Sequence, residues 1–212
     1  MDPFMAKRNR MAAGRVISAL ARRHMEGHYA ETREEALQVA LALIPQGSVV
    51  GWGGSLSIDE IGLKTAIKRG PYQSIDRDMA QTAEEKKQLE RQCFFADFYL
   101  MGTNAITEDG VLVNLDGRGP RVAALCYGPD HVIIVAGMNK VAADVPAAVA
   151  RVRHVAAPTN ALRFPGSTPC RQDGLCHDCL GDGCICSDLV ITRYSMAPGR
   201  IHVILVGENL GY

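Results

Sequence analysis

The 212-residue sequence has no excess of charge: 23 Lys and Arg balance 23 Asp and Glu. That removes the global electrostatic pull toward nucleic acid or an anionic membrane, and neither partner is expected. No apolar run approaches the ~20 residues of a membrane span, and the N-terminus lacks the basic, apolar, small-residue order of a secretory signal. Internal repeats and low-complexity tracts are also missing. These absences read as a cytoplasmic protein. The opening MDPF reads as a cloning remnant, residues 1–4, ahead of a natural start at Met5. What remains can bury a substantial core without help from disulfides.

The chain then divides by pattern. Residues 5–45 are rich in Ala, Arg and Glu and predict a helical arm of two helices, broken near HMEGHYAET. Thr32 and Glu35 have capping-box spacing, and Pro45-Gln46-Gly47 closes the second helix. From residue 46 short apolar strands alternate with helices: SVVGW, DFYLMGTNAIT, GVLVNLD, HVIIVAG, LVITRYS and RIHVILVGE read as strands. Ser57 with Glu60 and Thr82 with Glu85 open further helices, while GPYQSIDRD and AAPTNALRFPGSTP read as loops. The pattern predicts an α/β layered fold over 46–212, with a largely parallel sheet flanked by helices.

Two polar regions stand out from this frame. Gly51-Trp52-Gly53-Gly54-Ser55 lies where a strand hands over to a helix, and glycines there let a ligand approach backbone amides. With Ser57 expected as the N-cap, the Ser55 hydroxyl is left for ligand. The turn lacks a Walker lysine and the dinucleotide fingerprint, which argues against an ATPase or an NAD-binding domain. The second region, GTNAITEDGVLVNLDGRGPR, is unusually polar for a sheet centre. Asn104 and Asn114 would be costly inside strands without partners. Gly53, Gly54, Ser55, Gly102, Thr103, Asn104 and Asn114 are therefore expected to line a pocket at the carboxyl ends of the strands. Glu60 and Asp109 are the candidates for acid–base work, although Glu60 also reads as a capping carboxylate and Asp109-Gly110 as a hairpin turn.

Cys170, Cys176, Cys179, Cys184 and Cys186 form the pattern C-x5-C-x2-C-x4-C-x-C in PCRQDGLCHDCLGDGCICS. Cytosolic thiols stay reduced and the total of seven cysteines is odd, so metal ligation is preferred over a disulfide framework. Four thiolates suit zinc and iron–sulfur clusters alike. Zinc knuckles usually use two close pairs, whereas Cys170 stands alone, and a larger cubane needs ligands spread along a wrapping loop. His177 is a possible substitute ligand. Cys93 and Cys126 sit in apolar surroundings and read as buried thiols. His24 and His28 are four apart, but Gly27 suggests a fraying helix end and no third ligand lies nearby, so neither is assigned a metal.

VVGWGGSLSIDEIGL, ADFYLMGTNAITEDGVLVNLDGRGPRVAALCYGPDHVIIVAGMNKVAAD and PGRIHVILVGENLGY resemble the lactate-utilisation (LUD) domain family, over about residues 22–212. Through it the chain is distantly similar to the ribose-5-phosphate isomerase and CoA-transferase fold group. Asn104 stands where those isomerases place a catalytic Asp, and no Lys-Gly-Gly-Gly segment appears at NLDGRGP, so isomerase chemistry is not expected. The Cys-containing small members of the family resemble this chain at Cys170, Cys176, Cys179 and Cys186, which leaves Cys184 as the doubtful ligand in the loop 169–187. The resemblance implies an oxidoreductase system for lactate or a related small organic acid, with a [4Fe–4S] cluster and other redox subunits. It leaves open a phosphorylated substrate, an oligomer, a non-redox isomerase- or transferase-like enzyme with structural zinc, and a non-catalytic binding or assembly subunit.

Overall fold

Alternating apolar segments and capped helices do build a parallel sheet in this computed structural model, which describes residues 2–212. Met1 of the expected cloning remnant lies outside the described residues. Helix α1 (Pro3–Arg22) starts on Asp2, whose carboxylate accepts from the Phe4 and Met5 amides. Next come β1 (Glu26–Ala30), α2 (Arg33–Leu43), β2 (Val49–Trp52), α3 (Leu56–Glu60), α4 (Leu63–Arg69) and β3 (Gln73–Ile75). The middle of the chain holds α5 (Ala83–Gln92), β4 (Phe98–Gly102), β5 (Ala105–Thr107), β6 (Leu112–Asp116), α6 (Pro120–Cys126) and β7 (His131–Gly137). It finishes with β8 (Val141–Ala142), α7 (Val145–Arg151), α8 (Ala157–Ala161), α9 (Pro169–Asp173), β9 (Asp188–Thr192) and β10 (Ile201–Val206).

Six strands form one sheet in the order β1-β10-β7-β4-β2-β3, every neighbouring pair parallel. Because side chains alternate along a strand, Ile201, Val203 and Leu205 face Val16 and Leu20 of α1. Ile204 and Val206 face the layer of α2, α3 and α4 through Ala36, Ala40, Ile58 and Leu63. A second sheet, β8-β5-β6-β9, pairs β6 antiparallel with both β5 and β9. The Cys-rich segment thus enters from α9 and leaves along β9.

Local signals hold where they are local. The Glu35 amide donates to Thr32 Oγ1 (3.2 Å) and the Glu85 amide to Thr82 Oγ1 (3.1 Å), as capping boxes require. Four expectations need correction. The break between the first two helices is strand β1, in register with β10, so residues 5–45 are built into the sheet edge and are not a purely helical arm. GPYQSIDRD contains the edge strand β3. The helix beginning at Val145 runs on through a wider turn at Val152–Ala156 into α8, taking up half of the expected loop. Ser55, and not Ser57, caps α3, accepting from the Ile58 amide at 3.4 Å.

Leu20 of α1 is fully buried against the sheet. Leu20→Ala is expected to lower the unfolding free energy by about 2–5 kcal/mol, the usual cost of a core truncation. Urea unfolding checks this: an unchanged midpoint would mean that α1 is a detachable arm.

Candidate functional site

Strand order brings the ends of β2 and β4 side by side, and a cavity of about 460 Å³ opens beyond them. Gly54, Ser55, Gly102, Thr103 and Asn104 line it, as the sequence predicts. Gly102 is required by close approach: a Cβ there would stand 2.7 Å from Ser55 Oγ. Gly53 and Asn114 do not line the cavity. A Cβ on Gly53 would meet the Tyr99 hydroxyl at 2.8 Å, so its role is to let β2 pass the cavity floor.

The side chain that organises this region was not singled out from the sequence. Arg121, near the start of α6, is buried at the edge of the cavity. Its guanidinium donates to Asn114 Oδ1 (2.6 Å), Asn104 Oδ1 (2.9 Å), Leu115 O (2.9 Å) and Gly102 O (3.1 Å). Both asparagine side-chain carbonyls therefore find their partner in Arg121, and Asn104 Oδ1 also accepts from the Leu115 amide, whereas Asn114 Nδ2 is buried without a partner among the described residues. Asp116 stands 4.0 Å from Arg121 Nε and anchors α6 by accepting from the Arg121 and Val122 amides.

Cations dominate the cavity walls. Lys64, Arg77, Lys86, Arg121, Lys140 and Arg163 face Asp59, Asp78 and Asp116. Lys64 is neutralised by Asp59 and Asp78, and Arg77 by Glu90. Among the described residues no carboxylate stands within ion-pair distance of Lys140, Glu60 acting on it only from further off: it donates to Ser57 Oγ at 3.0 Å. Burial, helped by Arg151 and Arg121, pulls its ammonium down to about 7. The two serines have thus exchanged their expected roles, with Ser55 as the cap and Ser57 as the buried acceptor for Lys140.

Neither proposed acid–base carboxylate lines the cavity. Glu60 accepts from the Gly211 amide at 2.9 Å and tethers the C-terminal tail. Asp109 sits at the β5–β6 turn against α1, bound by Thr107 Oγ1 and Arg23, which hold its carboxyl below the usual range. Trp52 is buried in the core.

All five clustered cysteines, Cys170, Cys176, Cys179, Cys184 and Cys186, line a second cavity of about 440 Å³. Its remaining wall is largely apolar, including Leu115, Pro158, Leu180, Ile185 and Leu189. Leu115 and Ile185 line both cavities, so the two share a wall. The Cys184 and Cys186 sulfurs are 3.1 Å apart and together occupy one corner. Burial and the neighbouring thiols push Cys186 up to about 12, so ionising the set calls for a compensating cation. Arg153 supplies some positive charge, its guanidinium 3.9 Å from Cys176 Sγ and paired with Asp178. His177 is held by Asp173 at 2.7 Å. Among the described residues no three of the five thiols lie mutually within 4.8 Å, whereas sulfurs on a single zinc stand about 3.8 Å apart, given Zn–S near 2.3 Å. Of the two remaining cysteines Cys93 is buried as expected, but Cys126 is exposed.

The profile of the LUD domain family matches residues 13–206. The chain belongs to the LUD domain family. No curated protein matches its sequence. Among solved structures, a DUF162 family protein from Deinococcus radiodurans shares the fold of this LUD domain at a TM-score of 0.54 and 14% identity, over 93% of this chain and 98% of that one. D-ribose-5-phosphate isomerase in complex with phospho-erythronic acid aligns at TM-score 0.33 and 20% identity, over 51% and 52% of the two chains. The eIF2B delta protein of Chaetomium thermophilum aligns at TM-score 0.36 and 17% identity, over 52% and 48%. No helix of this LUD domain is long and apolar enough to cross a membrane.

Replacing Arg121 would leave four acceptors of the LUD domain facing an unfilled space. Arg121→Met is expected to destabilise the protein by about 3–5 kcal/mol, the cost of breaking a buried charged network from one side. Chemical unfolding of the variant measures it, and a loss below about 1 kcal/mol would show that the network is not structural.

Proposed function

We propose that this LUD domain protein binds a small organic anion in the cavity at the ends of β2 and β4, beside a [4Fe–4S] cluster held by the cysteine loop, as part of an oxidoreductase system for lactate or a related acid. The observation that carries the reading is the wall common to the two cavities, Leu115 and Ile185. An anion is favoured because Lys140 and Arg163 add positive charge that no wall carboxylate neutralises. A hydroxy-carboxylate or a phosphorylated small molecule both fit that chemistry.

Cys170, Cys176, Cys179 and Cys186 would hold the cluster, with Cys184 as the spare beside Cys186. When bound, such a cluster supplies single-electron transfer or a Lewis-acidic iron at the cavity wall. The chain's own contribution is to bind and orient. Lys140 pairs with the anion when protonated and accepts a proton when neutral.

One observation favours a second reading. A buried lysine titrating at about 7 is the kind of group that non-redox enzymes use as a base, and structural zinc would then occupy the cysteine loop. Metal analysis separates the two readings. Protein isolated without oxygen is expected to be brown, with broad absorbance near ~400 nm that bleaches on reduction. Cys176→Ala should remove the colour and Cys184→Ser should retain it. A colourless protein holding one zinc per chain would replace the first reading by the second.

Anion binding has a defined pH dependence. Lys140 is cationic below about 7 and loses its charge above it, so binding is strongest below that value and weakens as pH rises through it. The same depressed value means that the folded state holds fewer protons than the unfolded state between about 7 and the ordinary lysine range, so stability rises with pH across that window. Lys140→Met is expected to weaken binding of lactate or phosphate by roughly tenfold or more, the worth of one charged hydrogen bond, about 1.5–3 kcal/mol. It should also flatten the pH profile. Calorimetric titrations from pH 6 to pH 9 (about the window the shift defines) test both effects, and a profile unaltered by the substitution would exclude Lys140 as the anion's partner.

A further inference from the structure

The opposite end of the parallel sheet carries a second cluster of metal-ligating side chains. Glu26 and His28 lie on β1, His202 on β10 and His131 at the start of β7. Register explains their meeting: Glu26 pairs with His202 and His28 with Ile204, while Val132, the residue after His131, pairs with Ile201. All four sit an even number of residues from Ala30, Ile204 or Ile133, whose side chains pack in the α2-facing core, so they share that face.

The ligand atoms of Glu26, His28 and His202 lie within 4.8 Å of one another, the single such trio of His, Cys, Asp or Glu among the described residues. His28 and His202 stack with ring centroids 5.9 Å apart, and His131 packs on His202 at 5.7 Å while stacking on Phe98 at 4.8 Å. Three of the six buried side-chain nitrogen atoms without a hydrogen-bond partner are His28 Nε2, His131 Nδ1 and His202 Nδ1. Glu26 Oε2 approaches His202 Nδ1 to 3.3 Å, but off the line of a hydrogen bond. Leaving buried polar nitrogens unpaired is costly. Imidazole lone pairs converging with a carboxylate are relieved by a cation.

We propose that Glu26, His28 and His202 form a zinc site of the two-histidine, one-carboxylate type, with its remaining position open to solvent through the exposed Glu26. Two imidazoles and one carboxylate suit Zn²⁺ over the hard alkaline-earth ions. His131 is a positioning residue, its ring lying between Phe98 and His202 and backing the His202 ring. The site lies at the amino ends of the strands, away from the anion cavity, and depends neither on that cavity nor on the cysteine loop. Its effect is to clamp the edge strand β1 to β10, and with it the α1 segment. Metal that binds the folded chain stabilises it by mass action.

The test uses the full chain, stripped with chelator and titrated with zinc chloride, with zinc and iron counted per chain. Wild type is expected to take up one zinc more than His28→Gln or Glu26→Gln, with iron content and visible absorbance equal in all three. Zinc should raise the melting temperature of wild type and leave that of His28→Gln unchanged. Imidazole-detected NMR of wild type needs no variant: His28 and His202 ring resonances should shift and saturate at the added equivalent. Ring resonances that stay in place while zinc binds would assign the metal to the cysteines and overturn the site, as would equal zinc counts in all three proteins.

Discussion

The geometry of the cavity beyond β2 and β4 depends on one buried cation. Arg121 reaches from α6 to the end of β4, to Asn104 beyond it and to Asn114 and Leu115 of β6. These acceptors come from two different sheets, so the guanidinium joins the six-stranded sheet to the smaller one. A planar fork with five donors can satisfy four acceptors in fixed directions, which a lysine cannot do. Neutral amides and carbonyls take its four hydrogen bonds, and the Asp116 carboxylate stands at 4.0 Å from its Nε, beyond hydrogen-bond distance.

That cavity and the thiol-lined cavity are two parts of one surface. β6 contributes to both: Asn114 is held by Arg121, and the next residue, Leu115, is the partition between the cavities. Arginine and lysine line one side of a thin apolar wall and the cysteine thiols the other, and Arg153 adds a cation at the thiol side itself. The partition is hydrophobic, so the field of those cations crosses it with little screening.

What could be read in advance follows from how far apart the deciding residues lie. The capping boxes at Thr32 and Thr82 are contained in four residues and were legible, as were the fully apolar strands β7 and β10. The LUD family segments likewise placed the glycine turn and the Gly102–Asn104 strand end at one cavity. β1 was not legible because Glu26-Gly27-His28-Tyr29-Ala30 has no apolar alternation: its strand character comes from pairing with β10. Arg121 was missed because a Gly-Pro-Arg run reads as a solvated helix start, and nothing local says that four acceptors await it. Lys140 was hidden in the same way, its burial being set by Ser57 from α3. Glu26 and His28 share a face only because this segment is a strand and not a helix end, and His202 joins them only through sheet register.

The exit of the cysteine loop has a further consequence. β9 is zipped onto β6 from Asp188↔Asp116 to Thr192↔Leu112, and at the entry Arg171 donates to the Ala161 carbonyl at 2.8 Å and reaches across to Gly183. Both ends of the loop are therefore moored to elements whose positions the core decides. The loop is thereby a tether of fixed span: its five sulfurs can move only within the reach of two anchored ends, so the distances open to them are limited by the fold itself.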